Sequence, residues 1–167
     1  MTSKKITTFG ALVALAFIFS YIEMLIPFHF VVPGMKLGLA NIVIVCALYL
    51  LGAKEAFVIS IVRIVLVGFT FGNLNTMLYS LAGGILSFCV MAIAKKTKAL
   101  SIIGVSVLGA LFHNVGQIGV AMVMLETKTL INYLPFLLLM ALVTGVLIGI
   151  IGAELTKRLQ KILKVME

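Results

Sequence analysis

The sequence predicts an all-α fold: a polytopic membrane protein built as a six-transmembrane-helix bundle, with N and C termini in the cytoplasm. Three observations predict it. The chain of 167 residues is 63% hydrophobic and only 11% charged, with a mean hydropathy of +1.29. An average soluble domain is about half apolar and about a quarter charged, so a soluble core of this size could not hide so much apolar surface. Apolar runs close to the roughly 20 residues needed to cross a bilayer recur along the chain, separated by short breaks. Basic residues gather beside the ends of those runs, as the positive-inside rule describes.

The first helix is expected over 7–26 and is stopped by Pro27. A short loop, 28–35, carries Pro33 and Gly34. The second helix is expected over 36–51, and Gly52 with Ala53 forms a tight turn. The third covers 55–71, with Gly72 and Asn73 as the break. The fourth spans 75–94, followed by a basic loop, 95–98. The fifth spans 101–125. The polar stretch 126–129 leads into the sixth, 130–154, which continues as a basic amphipathic tail. Every segment is apolar on all sides, so periodicity alone does not separate helix from strand. The need to satisfy each backbone polar group inside lipid selects helix. Short alternating strands of a membrane barrel are missing from the pattern. No linker divides the chain, so 1–167 reads as a single membrane domain. The first run is long and lacks a small-residue cleavage site, so it is expected to stay as the first helix.

Orientation follows from counting cations. With the N-terminus inside, Lys4, Lys5, Lys54, Lys95, Lys96, Lys98, Lys157, Arg158, Lys161 and Lys164 are cytoplasmic. Only Lys36 and Lys128 fall outside, and Arg63 lies within a span. The implied place is the plasma membrane of a prokaryote, crossed several times. The net charge of +8 is therefore assigned to lipid headgroups and not to nucleic acid, which needs a continuous basic face on a folded domain.

Polar side chains within lipid cost a few kcal/mol on insertion scales, so each one asks for a reason. Arg63 sits near the middle of the third span, with Ser60 and Thr70 on its face. Ser106, Ala110, His113, Asn114, Gln117 and Ala121 form a polar and small stripe at helical spacing on the fifth. The fourth adds Asn75, Tyr79, Ser80 and Ser87. Tyr21, Glu23, Lys36, Asn41, Asn73, Asn75, Asn114 and Gln117 fall in the outer half of the bilayer. The expected substrate-binding residues are Lys36, Asn41, Arg63, Asn75, Tyr79, His113, Asn114 and Gln117, around one outward-facing cavity.

A plainer role stands beside each. Polar residues also join helices, the better reading for Ser60, Ser80, Ser87 and Ser106. Asn73 and Asn75 are equally turn and N-cap residues, and His113 with Gln117 equally an interhelical pair. Lys36 opens a helix, where a cation is disfavoured, and Glu23 closes one, where an anion is disfavoured. Either the two pair across the loop, or Lys36 joins the free N–H groups of the second helix to receive an anionic group. Ala141, Gly145, Gly149 and Ala153 form a ladder of small residues on the sixth helix. Gly10 and Ala14 start another on the first.

Two cysteines, Cys46 and Cys89, and two histidines, His29 and His113, make neither a disulfide framework nor a metal site, so both cysteines read as packing residues. No Gly-Lys-Ser/Thr motif is present, so ATP drive would come from a partner. No cofactor is called for.

Three blocks carry a resemblance: Pro33-Gly34-Met35-Lys36-Leu37-Gly38-Leu39-Ala40-Asn41, Ser80-Leu81-Ala82-Gly83-Gly84, and Gly109-Ala110-Leu111-Phe112-His113-Asn114-Val115-Gly116-Gln117. In these the chain resembles the Gx transporter family, whose members often bear the name heptaprenyl diphosphate synthase component I. More distantly it is similar to the S components of energy-coupling-factor (ECF) transporters. That resemblance implies a non-enzymatic subunit that captures a small, vitamin- or cofactor-like substrate from outside; no substrate-defining motif matches, and the cations Lys36 and Arg63 suggest that the substrate is anionic. The resemblance implies a loop, 28–35, that lids the site. It also implies a transmembrane coupling subunit with cytoplasmic ATPases, docked through Gly10 and Ala14 where S components carry Ala-xxx-Ala. The alternative is a non-catalytic membrane accessory subunit of a prenyl diphosphate, quinone or flavin-linked redox system. Prenyl synthases hold magnesium and diphosphate on clustered carboxylates. This chain has no Asp, and its five glutamates are scattered.

The orientation is open to direct test. Single cysteines at Thr97 and Val165 should react with an impermeant reagent only from the cytoplasmic side, and one at Thr127 only from outside. External labelling of Thr97 would reverse the bundle.

Overall fold

The computed structural model describes residues 3–26 and 38–165, with side chains described over 5–26 and 38–162. It is all-helical over those residues. The six α-helices are α1 (Ser3–Leu25), α2 (Leu39–Leu50), α3 (Ala53–Thr70), α4 (Leu74–Thr97), α5 (Ile102–Met124) and α6 (Leu134–Val165), with a short 3-10 segment at Thr129–Tyr133. The expected lid loop, 28–35, lies outside the described residues, as do His29 and Lys36. Four of the helices, α1, α4, α5 and α6, are long and apolar enough to cross a membrane. The other two differ for visible reasons. α2 has 12 residues, about 18 Å at 1.5 Å per residue, and α3 carries Lys54, Glu55 and Arg63.

Boundaries depart from the sequence expectation where polarity was taken as the end of a helix. The basic stretch 95–98 is not a loop: Lys95 and Lys96 form the last turn of α4, and the helix stops at Lys98, whose φ is 55°. Cations there complement the negative end of the macrodipole. α1 begins at Ser3 and not at Thr7, because nothing between those residues interrupts helical backbone. α1 ends at Leu25, before the Ile26-Pro27 pair; the residue preceding a proline is pushed away from α conformation. α6 starts four residues later than expected. The 3-10 segment occupies 129–133, and Pro135 then sits in the first turn, where its missing N–H costs nothing. From there α6 runs 32 residues without a break, so the basic tail is its continuation.

α2 is the centre of the bundle. Ile42 to Leu48 is buried without interruption, the mark of a helix surrounded on all sides. Its side chains pack with Leu12 and Ala16 of α1, Ala56 and Ile59 of α3, Phe88, Met91 and Ala94 of α4, and Val105 of α5. The neighbouring helices pack one against the next in the order α1, α3, α4, α5, α6. One end of this bundle is tied by charges. Lys95 donates to the Leu48 carbonyl at 2.6 Å and stands 5.0 Å over the Tyr49 ring, and Lys5 lies 3.9 Å from Glu55. The Lys95 contact satisfies a carbonyl that the last turn of α2 leaves without an intrahelical partner.

Contacts among α4, α5 and α6 depend on missing side chains. A Cβ on Gly83 would stand 2.6 Å from the His113 carbonyl oxygen, and one on Gly116 would stand 2.9 Å from the Ala82 oxygen. On α6, a Cβ at Gly145 would meet the Val107 Cα at 2.9 Å, and one at Gly149 the Ile103 Cα at 2.7 Å. These are backbone atoms, which do not swing aside. Ser106 adds a hydrogen bond to the Gly145 carbonyl at 2.9 Å, so this serine does join helices. Among apolar helices, such close approach supplies dispersion contacts that lipid cannot match.

Gly83→Ala should therefore destabilise the protein by about 1–3 kcal/mol, the usual cost of overpacking. At Gly119 a Cβ meets nothing within 4 Å. Gly119→Ala should be neutral or stabilise by up to about 1 kcal/mol through helix propensity. Thermal unfolding in one detergent compares the two, and equal behaviour would contradict the close seam.

Candidate functional site

The end of α1 and the start of α2 lie at the same end of the bundle as the connections from α3 to α4 and from α5 to α6, because successive helices alternate in direction. Toward that end a cavity of about 40 Å³ opens among the helices. Every helix contributes: Glu23 from α1, Gly38 and Asn41 at the start of α2, Arg63 from α3, and Ser80 from α4. Ala110, His113 and Asn114 come from α5, and Ala141, Thr144 and Ile148 from α6. Such a volume holds roughly three water-sized groups, since about 10–15 Å³ on this measure suffices for one.

Arg63 is the electrostatic centre. Its Nη1 donates to Ser20 Oγ at 3.4 Å, and Ser20 in turn donates to the Ala16 carbonyl at 2.9 Å. Its Nε is buried and makes no hydrogen bond. Removing a guanidinium from water costs several kcal/mol unless charge and hydrogen bonds compensate. Glu23 is the acid whose charge acts on it. Yet the two do not close into a contact pair: among the described residues, ion pairs join Lys5 to Glu55 and Arg158 to Glu154. Instead, Gly38 N–H donates to Glu23 Oε1. Gly38 is the N-cap of α2 with φ at 78°, a left-handed conformation that suits glycine and turns its amide toward the carboxylate. A carboxylate is also well placed at the positive end of the α2 macrodipole. Glu23, misplaced at the end of its own helix, is well placed at the start of the next.

Four of the eight expected substrate-binding residues are brought together: Asn41, Arg63, His113 and Asn114. Asn114 spends its Nδ2 on the Leu137 carbonyl of α6, at 3.1 Å, which fixes its side chain at the cavity wall. Three are elsewhere. Asn75 is exposed in the first turn of α4, Tyr79 is half-buried off the cavity, and Gln117 is buried a turn beyond Asn114. Lys36 lies outside the described residues. The Asn73 alternative resolves toward capping: its side chain accepts from Thr76 N–H at 2.9 Å, and Thr76 Oγ1 accepts from Asn73 N–H at 3.0 Å. That is a complete capping box.

The expected substrate-binding set lacks three cavity residues: Ser80, Thr144, and Glu23, which the sequence places in the outer half without a binding role. Ser80 reads from the sequence as an ordinary serine between helices. Thr144 donates back to the Met140 carbonyl at 3.0 Å and so leaves no polar signature beyond its own helix. Glu23 did carry a signal, an anion in the last turn of a helix, but it pointed to Lys36 as partner. Among the described residues no group of three or more His, Cys, Asp or Glu is placed to hold a metal ion.

The arrangement gathers a guanidinium, a carboxylate, an imidazole, side-chain amides and hydroxyls around a small void. A family model described as heptaprenyl diphosphate synthase component I matches residues 12–155, which include every residue lining the cavity. The chain belongs to the heptaprenyl diphosphate synthase component I family. No curated protein and no solved structure matches it. Membership in the heptaprenyl diphosphate synthase component I family agrees with the resemblance carried by the three glycine-rich blocks. Two of those blocks meet in space where Gly83 of α4 abuts His113 of α5.

Asn73→Ala removes a cap and not a cavity residue. It should cost about 1 kcal/mol in thermal unfolding and leave binding of any ligand unchanged.

Proposed function

We propose that the chain is the substrate-binding membrane subunit, of S-component type, of an ECF transporter, and that it handles a small vitamin- or cofactor-like molecule. The observation that supports this best is the cavity to which all six helices contribute around a buried guanidinium. A polar void maintained inside an apolar bundle costs stability, and binding gives that cost a function. In this reading all six helices cross the plasma membrane of a prokaryote. Both termini face the cytoplasm, and the end that carries the cavity faces out. Lys5, Lys54, Lys95, Lys96 and Lys98 then mark the inner face.

The docking expectation has a matching geometry. Gly10 and Ala14 are exposed on α1, and a Cβ on Gly10 would meet nothing within 4 Å. That surface is available to a transmembrane coupling subunit with its cytoplasmic ATPases. The family's description supports a second reading, a non-catalytic membrane accessory subunit of a prenyl diphosphate, quinone or flavin-linked redox system. Copurified partners separate the two: ATPases support the first, a prenyl synthase or flavoprotein the second.

Native mass spectrometry of the protein purified from membranes should find a retained small molecule. Arg63→Gln should weaken its binding by about 1.5–3 kcal/mol, roughly ten- to a hundredfold. Ser87→Ala, whose hydroxyl is buried on α4 away from the cavity, should bind normally. Gly10→Leu should reduce copurification of the ATPases without loss of the ligand. A folded Arg63→Gln protein that binds as tightly as the parent would remove the cavity as the site.

A further inference from the structure

Glu23 and Arg63 face the same small void without meeting. If an anion entered, it would gain Arg63 and be repelled by Glu23. A cation would meet the reverse. The other polar groups at hand are Asn41, Ser80, His113, Asn114 and Thr144; the amides and hydroxyls carry no charge, and the neutral imidazole of His113 both donates and accepts. The void holds about three water-sized groups, and Arg63 keeps a buried Nε–H with no acceptor. Glu23, as a carboxylate, offers acceptors only, and one of its oxygens accepts from Gly38.

The geometry points to an uncharged amide-type edge as the part of the ligand that enters this cavity: a cyclic urea, lactam or imide. Its carbonyl oxygen accepts from Arg63, and its adjacent N–H donates to Glu23. An amide edge is three heavy atoms, oxygen, carbon and nitrogen, which suits the void. Both of its hydrogen bonds are charge-assisted, yet it adds no net charge to a site where Glu23 and Arg63 already offset each other. A carboxylate or phosphate on the same ligand stays outside the cavity. This inference rests on the reading of the cavity as the binding site, and it names the chemistry that site selects.

The test uses four small probes on the full-length protein in lipid nanodiscs, followed by saturation-transfer NMR against empty nanodiscs. The probes are 2-imidazolidinone, propionate, propylammonium and glycine. The cyclic urea alone should bind saturably. Arg63→Gln should weaken it roughly tenfold, in line with one lost charge-assisted bond. Glu23→Gln should weaken it several-fold, because an acceptor oxygen remains but its charge does not. Saturable propionate binding that strengthens in Glu23→Gln would overturn the inference in favour of an anion. Preferential binding of propylammonium or glycine would overturn it in favour of a cation or zwitterion. Binding of none of the four would also overturn it. Probe selectivity on the unaltered protein decides the matter even if Glu23→Gln fails to fold. None of these failures touches the transporter reading, which stands or falls on a retained ligand and ATPase partners.

Discussion

Backbone-to-backbone contact among α4, α5 and α6 is the constraint on which the rest of this structure depends. Gly83, Gly116, Gly145 and Gly149 each sit where an added Cβ would collide with main chain of the neighbouring helix. Helices in lipid gain little by burying apolar surface against each other, so closeness of approach takes over that role. The seam also fixes rotation. With Gly83 seated on His113 and Gly145 seated beside Ala110, α5 can turn only its His113–Asn114 face toward the centre. The cavity is thus a consequence of how the glycines lock, and its polar lining is held from outside by Ser106 and Asn114 bonds to α6 carbonyls.

On the other side of the cavity, polar contacts add to the apolar packing of α1 and α3 on α2. Ser20 and Glu23 of α1 serve Arg63 of α3 and the first amide of α2. These are single, directional interactions in a low-dielectric setting, where each one matters more than it would in water. The molecule therefore has a half closed by backbone contact, α4 to α6, and a half, α1 to α3, packed through apolar side chains around α2 with a few polar contacts at the cavity. A ligand group that interacts with both Arg63 and Glu23 acts on the second half.

Much of this was legible in the sequence, for a physical reason: in lipid, polar and small residues are scarce and each one is informative. The stripe from Ser106 to Ala121, the ladder from Ala141 to Ala153 and the lone Arg63 all occupy meaningful places. What was not legible falls into two kinds. Helix ends were misplaced wherever lysines were taken for loop, because Lys95 and Lys96 belong to the last turn of α4, where the macrodipole favours them. The partner of Glu23 was also hidden. A carboxylate pairing with a backbone amide leaves no complementary residue in the sequence, only a glycine, Gly38, whose left-handed φ is visible in three dimensions alone. Asn75 and Gln117 were drawn into the expected site by depth in the bilayer. Asn75 is exposed in the first turn of α4, and Gln117 lies a turn beyond Asn114 along α5, so neither lines the cavity.

The central claim is that the void bounded by Arg63, Glu23, His113 and Asn114 is where this chain binds its ligand. An experimental density map of the protein purified with its retained small molecule tests that most directly. The account predicts non-protein density within hydrogen-bond distance of the Arg63 guanidinium and the Asn114 side chain. Density confined to the lipid-facing grooves, with Arg63 closed onto Glu23 and the void gone, would contradict it.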